Sequence, residues 1–348
     1  MTIKNLFKIG VEKGASDIHL LSGKPPILRI DGSLVELASE PLTGTKIKEL
    51  IDGMLTPIQQ TTFEEDMELD FSYSIDKVAR FRVNIHWEKE KPSMVARIVS
   101  NKIPNMEELM MPPIVKKLTE LHDGLILVTG PSGCGKSTTL AAMINEINSK
   151  RSAHIITLED PIEYIFPPQK CIIRQRQVGT DMKTFKQGLK HVLRQDPNVI
   201  MVGEMRDLES IAATITMAET GHLVLATLHT LNAAQTVDRI IDSFPPYQQS
   251  QIRLQLSMTL RAVISQQLIH RKKGTGRISA REIMLNNNAV ANLIRENKIA
   301  QIKSIIQTSV EEGMTTMDMD LKRLVIEDQI SEEEARSRMV NPADLRST

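Results

Sequence analysis

LILVTGPSGCGKSTTL, residues 125–140, decides the fold of this chain. LILVT, 125–129, reads as a short buried strand. GPSGCGKST, 130–138, fits GxxxxGK[ST] through Gly130, Gly135, Lys136 and Ser137. Beyond it, Leu140, Met143, Ile144 and Ile147 recur at the spacing of one helical face. Strand, glycine-rich loop and helix, in that order, make a phosphate cradle. The glycines let successive backbone N–H groups turn inward, the lysine neutralises outer phosphates, and the Ser137 hydroxyl suits magnesium. The candidate nucleotide-binding residues are Gly130, Pro131, Ser132, Gly133, Cys134, Gly135, Lys136, Ser137 and Thr138, for ATP with Mg2+. Cys134 reads as a small filler, because no paired histidine makes it a nucleophile.

Outward from the loop the texture is βαβ, which predicts an α/β domain with a mainly parallel sheet from about residue 114. HIITL, 154–158, runs into ITLEDPIEY with Glu159, Asp160 and Glu163. NVIMVG, 198–203, ends on Glu204, then Arg206 and Asp207. An acid after an apolar strand is the arrangement that holds magnesium or polarises the attacking water. Asp207 also precedes LESIAATITMAETG, where an aspartate serves as a helix N-cap. The fourth strand, within HLVLATLH, 222–229, is bracketed by His222 and His229. Its spacing does not suit zinc. Ligands of open parallel sheets bind at the carboxyl ends of the strands, so Glu204 and His229 belong to the same edge as the loop.

Residues 1–100 read as a smaller α+β domain. Ile3, Leu6, Phe7 and Val11 follow helical spacing, Asp31-Gly32 marks a hairpin, and TGTKIKELIDGML a polar helix. In ARFRVNIHW, Phe81, Val83, Ile85 and Trp87 share one face; Arg80, Arg82, Asn84 and His86 take the other. MVARIVS adds a strand with Arg97. Residues 101–113, rich in proline, read as a linker between this domain and 114–348, whose carboxyl-terminal part is helical.

The 348 residues suffice for two cores. Lys plus Arg equals Asp plus Glu, and aromatics are 3%, which argues against a nucleic-acid partner. The two cysteines form no CxxC pair, and no apolar run reaches membrane-spanning length. A cytoplasmic protein without direct membrane insertion is expected.

GPSGCGKST, LEDPIEY, VGEMRD and TGHLVLATLHT, in that order, resemble the Walker A, Asp box, Walker B and His box of type II/IV secretion ATPases. GASDIHLLSGKPPILRIDGSL and DRIIDSFPPYQQSQIRLQLS extend the resemblance, which is specific to the pilus-retraction ATPases of that family and spans nearly the whole chain. It implies a PAS-like amino-terminal domain, a RecA-like P-loop ATPase domain and a homohexameric ring with ATP between the domains. Arg82 and Arg97 match the arginines that serve catalysis, His229 a γ-phosphate sensor, and Glu163 the residue that activates water, with Glu204 and Ser137 serving magnesium. Partners implied are an inner-membrane pilus platform protein and a second retraction ATPase, at the cytoplasmic pilus base. Pilus-extension relatives carry a further amino-terminal domain and a four-cysteine zinc insertion; this sequence shows neither, so retraction is implied. One motif departs. Where retraction ATPases carry Ala-Ile-Arg-Asn-Leu-Ile, this chain has AVANLI, 289–294, with Ala291 in the arginine's place and Arg295 one turn on. A RecA-like nucleic-acid motor and an accessory nucleotide-binding subunit are the alternatives.

Overall fold

A computed structural model describes residues 2–30, 32–76, 78–99, 103–274 and 276–346. It divides into two compact units: residues 1–102 with Glu163–Ile165, and 103–162 with 166–348.

The first unit runs α1 (Ile3–Glu12), β1 (Asp17–Leu20), β2 (Ile27–Ile30), β3 (Ser33–Glu36), α2 (Gly44–Asp52), α3 (Pro57–Asp66), β4 (Glu68–Ile75), β5 (Ala79–Glu88) and β6 (Lys91–Val99). Its sheet is antiparallel, ordered β3-β2-β1-β6-β5-β4. Thr2, Thr43 and Thr56 cap the three helices through their side-chain oxygens, which satisfies N–H groups that a helix start leaves unpaired. Leu6 and Phe7 of α1 bury fully against the alternating face of β5, with the Phe7 and Phe81 rings 4.2 Å apart. Ile30 lies opposite Ser33, and Gly32 has φ 85°, as a tight hairpin asks; Asp31 lies outside the described residues. Trp87 shares the face of Phe81, Val83 and Ile85 but is less covered than they are. Its ring stacks on Phe63, yet it stays 37% exposed where Phe81, Val83 and Ile85 are buried, because β5 has reached the rim of the sheet.

The second unit contains α4 (Pro113–Leu118), β7 (Gly124–Thr129), α5 (Lys136–Lys150), β8 (His154–Glu159), β9 (Ile172–Gln177), α6 (Phe185–Val192), β10 (Val199–Val202), α7 (Leu208–Glu219), β11 (Leu223–Leu228), α8 (Ala233–Asp242), α9 (Pro246–Thr259), β12 (Leu260–His270), β13 (Arg277–Leu285), α10 (Asn288–Arg295), α11 (Ile302–Thr308), α12 (Met317–Ile326) and α13 (Glu332–Arg336). The sheet order is β13-β12-β7-β11-β10-β8-β9, parallel except for the β12–β13 pair. Every residue of β7 and β11 is buried, because helices cover both faces of a parallel sheet; hence their unbroken apolar runs. Leu140, Met143, Ile144 and Ile147 form the buried side of α5.

Residues 103–113 pack with the second unit instead of standing apart as a connector; Asn101 and Lys102 lie outside the described residues. Arg281 on β13, 1% exposed, holds this segment. Its Nη1 donates to the Met110 carbonyl at 3.1 Å and its Nη2 to the Leu109 carbonyl at 2.9 Å. Burial pushes the guanidinium down to about 10, and Asp320 on α12 partly offsets this. Asp320 also accepts the Arg281 N–H and Arg323 Nε, both at 2.8 Å.

Candidate functional site

Because β7, β8, β10 and β11 are parallel, their carboxyl ends lie on one edge. The loop 130–135 leaves β7 there and enters α5, whose N-cap is Gly135 in the left-handed region (φ 91°). Gly130 is needed for space as well as conformation. With φ 139°, a Cβ at this position would stand 2.3 Å from the Gln266 carbonyl oxygen and 2.7 Å from Cys134 Sγ. The first of these is backbone and cannot swing aside. Gly130→Ala is therefore expected to carry a strain of about 1–3 kcal/mol. If that strain falls on the binding-competent loop, ADP affinity drops roughly 5- to 150-fold, as titration with fluorescently labelled ADP would show. An unchanged affinity would mean the loop can relax around a methyl group.

Lys136 sits at the first helical position and turns back on the loop, donating to the Gly130 carbonyl at 2.8 Å and to that of Pro131 at 3.1 Å. Pro131, Ser132 and Gly133 are exposed, while Gly135, Lys136, Ser137 and Thr138 are half-buried. Cys134 is 2% exposed, and burial pushes its thiol up, away from the thiolate a nucleophile needs.

Glu204 lies just past β10, which ends at Val202, one residue short of the strand read from sequence. Gly203 makes the exit possible: a Cβ there would be 3.1 Å from the Leu158 carbonyl oxygen. Thr227 Oγ1 donates to the Gly203 carbonyl, and the Met205 N–H to the Thr227 carbonyl, fixing the turn beside β11. Glu204 is held from two sides, with Oε1 2.9 Å from His229 Nε2 and Oε2 2.9 Å from Arg206 Nε. Arg206 Nη1 is also 3.9 Å from Asp160, so one guanidinium links the ends of β8 and β10. Asp207 caps α7: its Oδ1 accepts the Ser210 N–H at 2.7 Å. Glu159 is buried and accepts from Thr157 Oγ1 at 2.6 Å and Gln175 Nε2 at 3.2 Å, which ties the end of β8 to β9. His222 stands at the other end of β11, with Nδ1 3.1 Å from the Met217 carbonyl oxygen.

The structure thus brings together Glu204, His229, Arg206 and Asp160 at the strand edge that carries the phosphate loop. Arg82, Arg97 and Glu163 belong to the first unit. Arg82 and Arg97 are direct cross-strand partners on β5 and β6. Like charges so placed are unfavourable, and Asp17 relieves only one of them, accepting from Arg97 Nε at 2.9 Å while also lying 3.9 Å from Arg29. Strand periodicity placed Arg82 off the apolar face; only the β5–β6 register makes it Arg97's neighbour. Glu163 is exposed on the segment after β8.

Sequence reasoning missed the contributions of β12 and β13. Glu282 of β13 is buried and accepts the Ala233 N–H, the first of α8, at 2.8 Å, so it anchors the helix that follows the His229 turn. Burial pushes its carboxyl up. In AVANLI, Ala291 is 9% exposed on α10 while Arg295 is exposed in the last turn, where a cation suits the helix dipole.

Among the described residues, no group of three or more His, Cys, Asp or Glu could hold a metal ion. Magnesium that travels with nucleotide phosphates asks for only one or two protein oxygens beside phosphate and water. Ser137 in the first turn of α5 and Glu204 just past β10, on the same edge of the sheet, are oxygen donors of that kind, so the residues present fit it. No helix among the described residues is long and apolar enough to cross a membrane.

Comparison with known proteins agrees with this geometry. The family described as type II/IV secretion system protein matches residues 1–337. The type IV pilus retraction ATPase PilT of Pseudomonas aeruginosa is 46% identical over 345 residues, covering 99% of this chain and 100% of that protein. The type IV pilus ATPase PilU of the same organism is 40% identical, covering 99% and 91%. A crystal structure of the pilus retraction motor PilT with bound ADP superposes with TM-score 0.93 at 42% identity, covering all of both chains. The mixed α/β fold with its parallel P-loop sheet is that of these ATPases, and the chain belongs to the type II/IV secretion system protein family.

Proposed function

We propose that this chain is the subunit of a hexameric, ATP-hydrolysing motor that powers retraction of a type IV pilus. The match to a retraction ATPase over essentially the whole of both chains carries this reading, and the P-loop, Glu204 and His229 sharing one strand edge supports it. The inner-membrane platform protein of the pilus is the partner on which the motor would act, and a second retraction ATPase a further one.

The loop N–H groups and Lys136 bind the nucleotide phosphates; Lys136 exchanges two loop carbonyls for them. Ser137 and Glu204 would hold magnesium, which when bound would neutralise phosphate charge. Glu163 orients the attacking water and accepts its proton. His229, paired with Glu204, senses the γ-phosphate: a phosphate that draws the imidazole away releases one carboxylate oxygen. Arg82 and Arg97 stabilise the charge that develops on the transferred group, where a supplied arginine is worth roughly a thousandfold or more. Their juxtaposition, tolerated at an electrostatic cost, suits a pair that takes an anion.

The test has two parts. Purified protein should release phosphate from ATP without stimulation by DNA, and the gene should restore retraction to a strain lacking its own copy. Salt-sensitive DNA binding that raises turnover would favour a nucleic-acid motor. Full turnover without restored retraction would remove the retraction assignment.

A further inference from the structure

Gln266 is buried at 1% exposure on β12, directly beyond the Ser265–Thr129 pair that aligns β12 with β7. It therefore lies beside Gly130, where the phosphate loop begins. Its side chain spans the loop. Nε2 donates to the Cys134 carbonyl at 2.8 Å, and Oε1 accepts from Thr139 Oγ1 at 2.9 Å. The amide orientation follows from chemistry, since a carbonyl can only accept and must face the NH2 group. Thr139 belongs to the first turns of α5 and Cys134 to the loop before it, so one side chain ties the loop's exit to the helix it enters.

A planar trans peptide points its C=O and N–H in opposite directions. Holding the Cys134 carbonyl on Gln266 therefore fixes the Gly135 N–H in the direction away from Gln266. If free, this peptide would turn over readily, because the flip rotates ψ of Cys134 and φ of Gly135, and Gly135 (φ 91°) takes either sign of φ at little cost.

We propose that Gln266 is a positioning residue for nucleotide binding: through its bond to Cys134 it holds the Gly135 amide in the orientation that receives phosphate, and Thr139 holds Gln266. This rests on the loop being the nucleotide site. It adds a residue from a strand well down the chain to the set that makes the loop competent.

The experiment measures binding of fluorescently labelled ADP, steady-state KM and kcat for ATP, and thermal midpoints in full-length variants. Gln266→Met keeps the volume and loses both bonds; Thr139→Val loses only the bond that orients the amide. Ser265→Ala is the structural control, since it removes a buried hydrogen bond (Thr129 Oγ1 to Ser265 Oγ, 2.8 Å) from the adjacent position without touching the loop's peptides. Gln266→Met is expected to weaken ADP binding and raise KM about 3- to 10-fold, the worth of one such bond, with a smaller effect on kcat. Thr139→Val should follow in the same direction, and Ser265→Ala should leave affinity unchanged. Unaltered affinity in Gln266→Met, or an equal loss in Ser265→Ala at a matched fall in thermal midpoint, overturns the proposal. Lys136→Ala separates the premise. If it binds labelled ADP as tightly as the parent, the nucleotide site itself is wrong; if it loses binding while Gln266→Met does not, only the role of Gln266 falls.

Discussion

Glu163→Gln is expected to bind ATP within a few-fold of the parent protein and to lose turnover by about 10²- to 10⁴-fold, the usual worth of a general base. The amide keeps the size and the hydrogen-bonding reach of the carboxylate but cannot take a proton from water. Glu204 is the other candidate. Both of its oxygens are engaged, one by His229 and one by Arg206, each at 2.9 Å. Glu204→Gln should also lower turnover strongly, but with a signature of its own. Losing the charge that serves magnesium should shift the dependence of turnover on magnesium concentration, whereas Glu163→Gln should leave that dependence in place. Paired kcat measurements across a magnesium titration distinguish the two. Near-parent turnover in Glu163→Gln would transfer the base role to Glu204.

The second large effect concerns stability. Asp320→Ala is expected to cost about 3–5 kcal/mol, read as a lower urea midpoint, because it removes the carboxylate whose charge offsets the burial of the Arg281 guanidinium. Asp320 is 3% exposed and serves both the Arg281 N–H and the Arg323 guanidinium. Removing it leaves Arg281, itself 1% exposed, with carbonyl partners only. The consequence should reach the chain segment those carbonyls belong to, so amide exchange in residues 103–112 should quicken along with the global loss. Asp320→Asn, which keeps an acceptor but no charge, should fall between. A loss under about 1 kcal/mol in Asp320→Ala would mean that water or relaxation supplies what the aspartate does.

Neither Asp320 nor Arg281 stands out in the sequence, and the reason is physical. The four strands read from sequence, β7, β8, β10 and β11, are apolar throughout or nearly so, because both faces of a central parallel sheet are covered. β12 and β13 are buried too, yet they carry Gln266, Arg281 and Glu282, whose partners are a loop carbonyl, a chain segment before the sheet and the start of a helix. Such residues interrupt the apolar pattern by which strands are recognised. Their burial is tolerable only because distant parts of the chain satisfy them.

Local chemistry was legible from the sequence alone. The P-loop, the helical face behind it, the acid after β10, the N-cap at Asp207 and the alternation of β5 each follow from residues within about one turn or one strand of each other, where spacing dictates geometry. Tertiary structure decided what depends on register and crossover. It set Arg82 opposite Arg97, locked Glu204 between His229 and Arg206, and drew Gln266 across to the loop more than a hundred residues earlier. Periodicity assigns a residue to a face. Which residue stands opposite it is set by strand order, and that order is settled only when the whole sheet assembles.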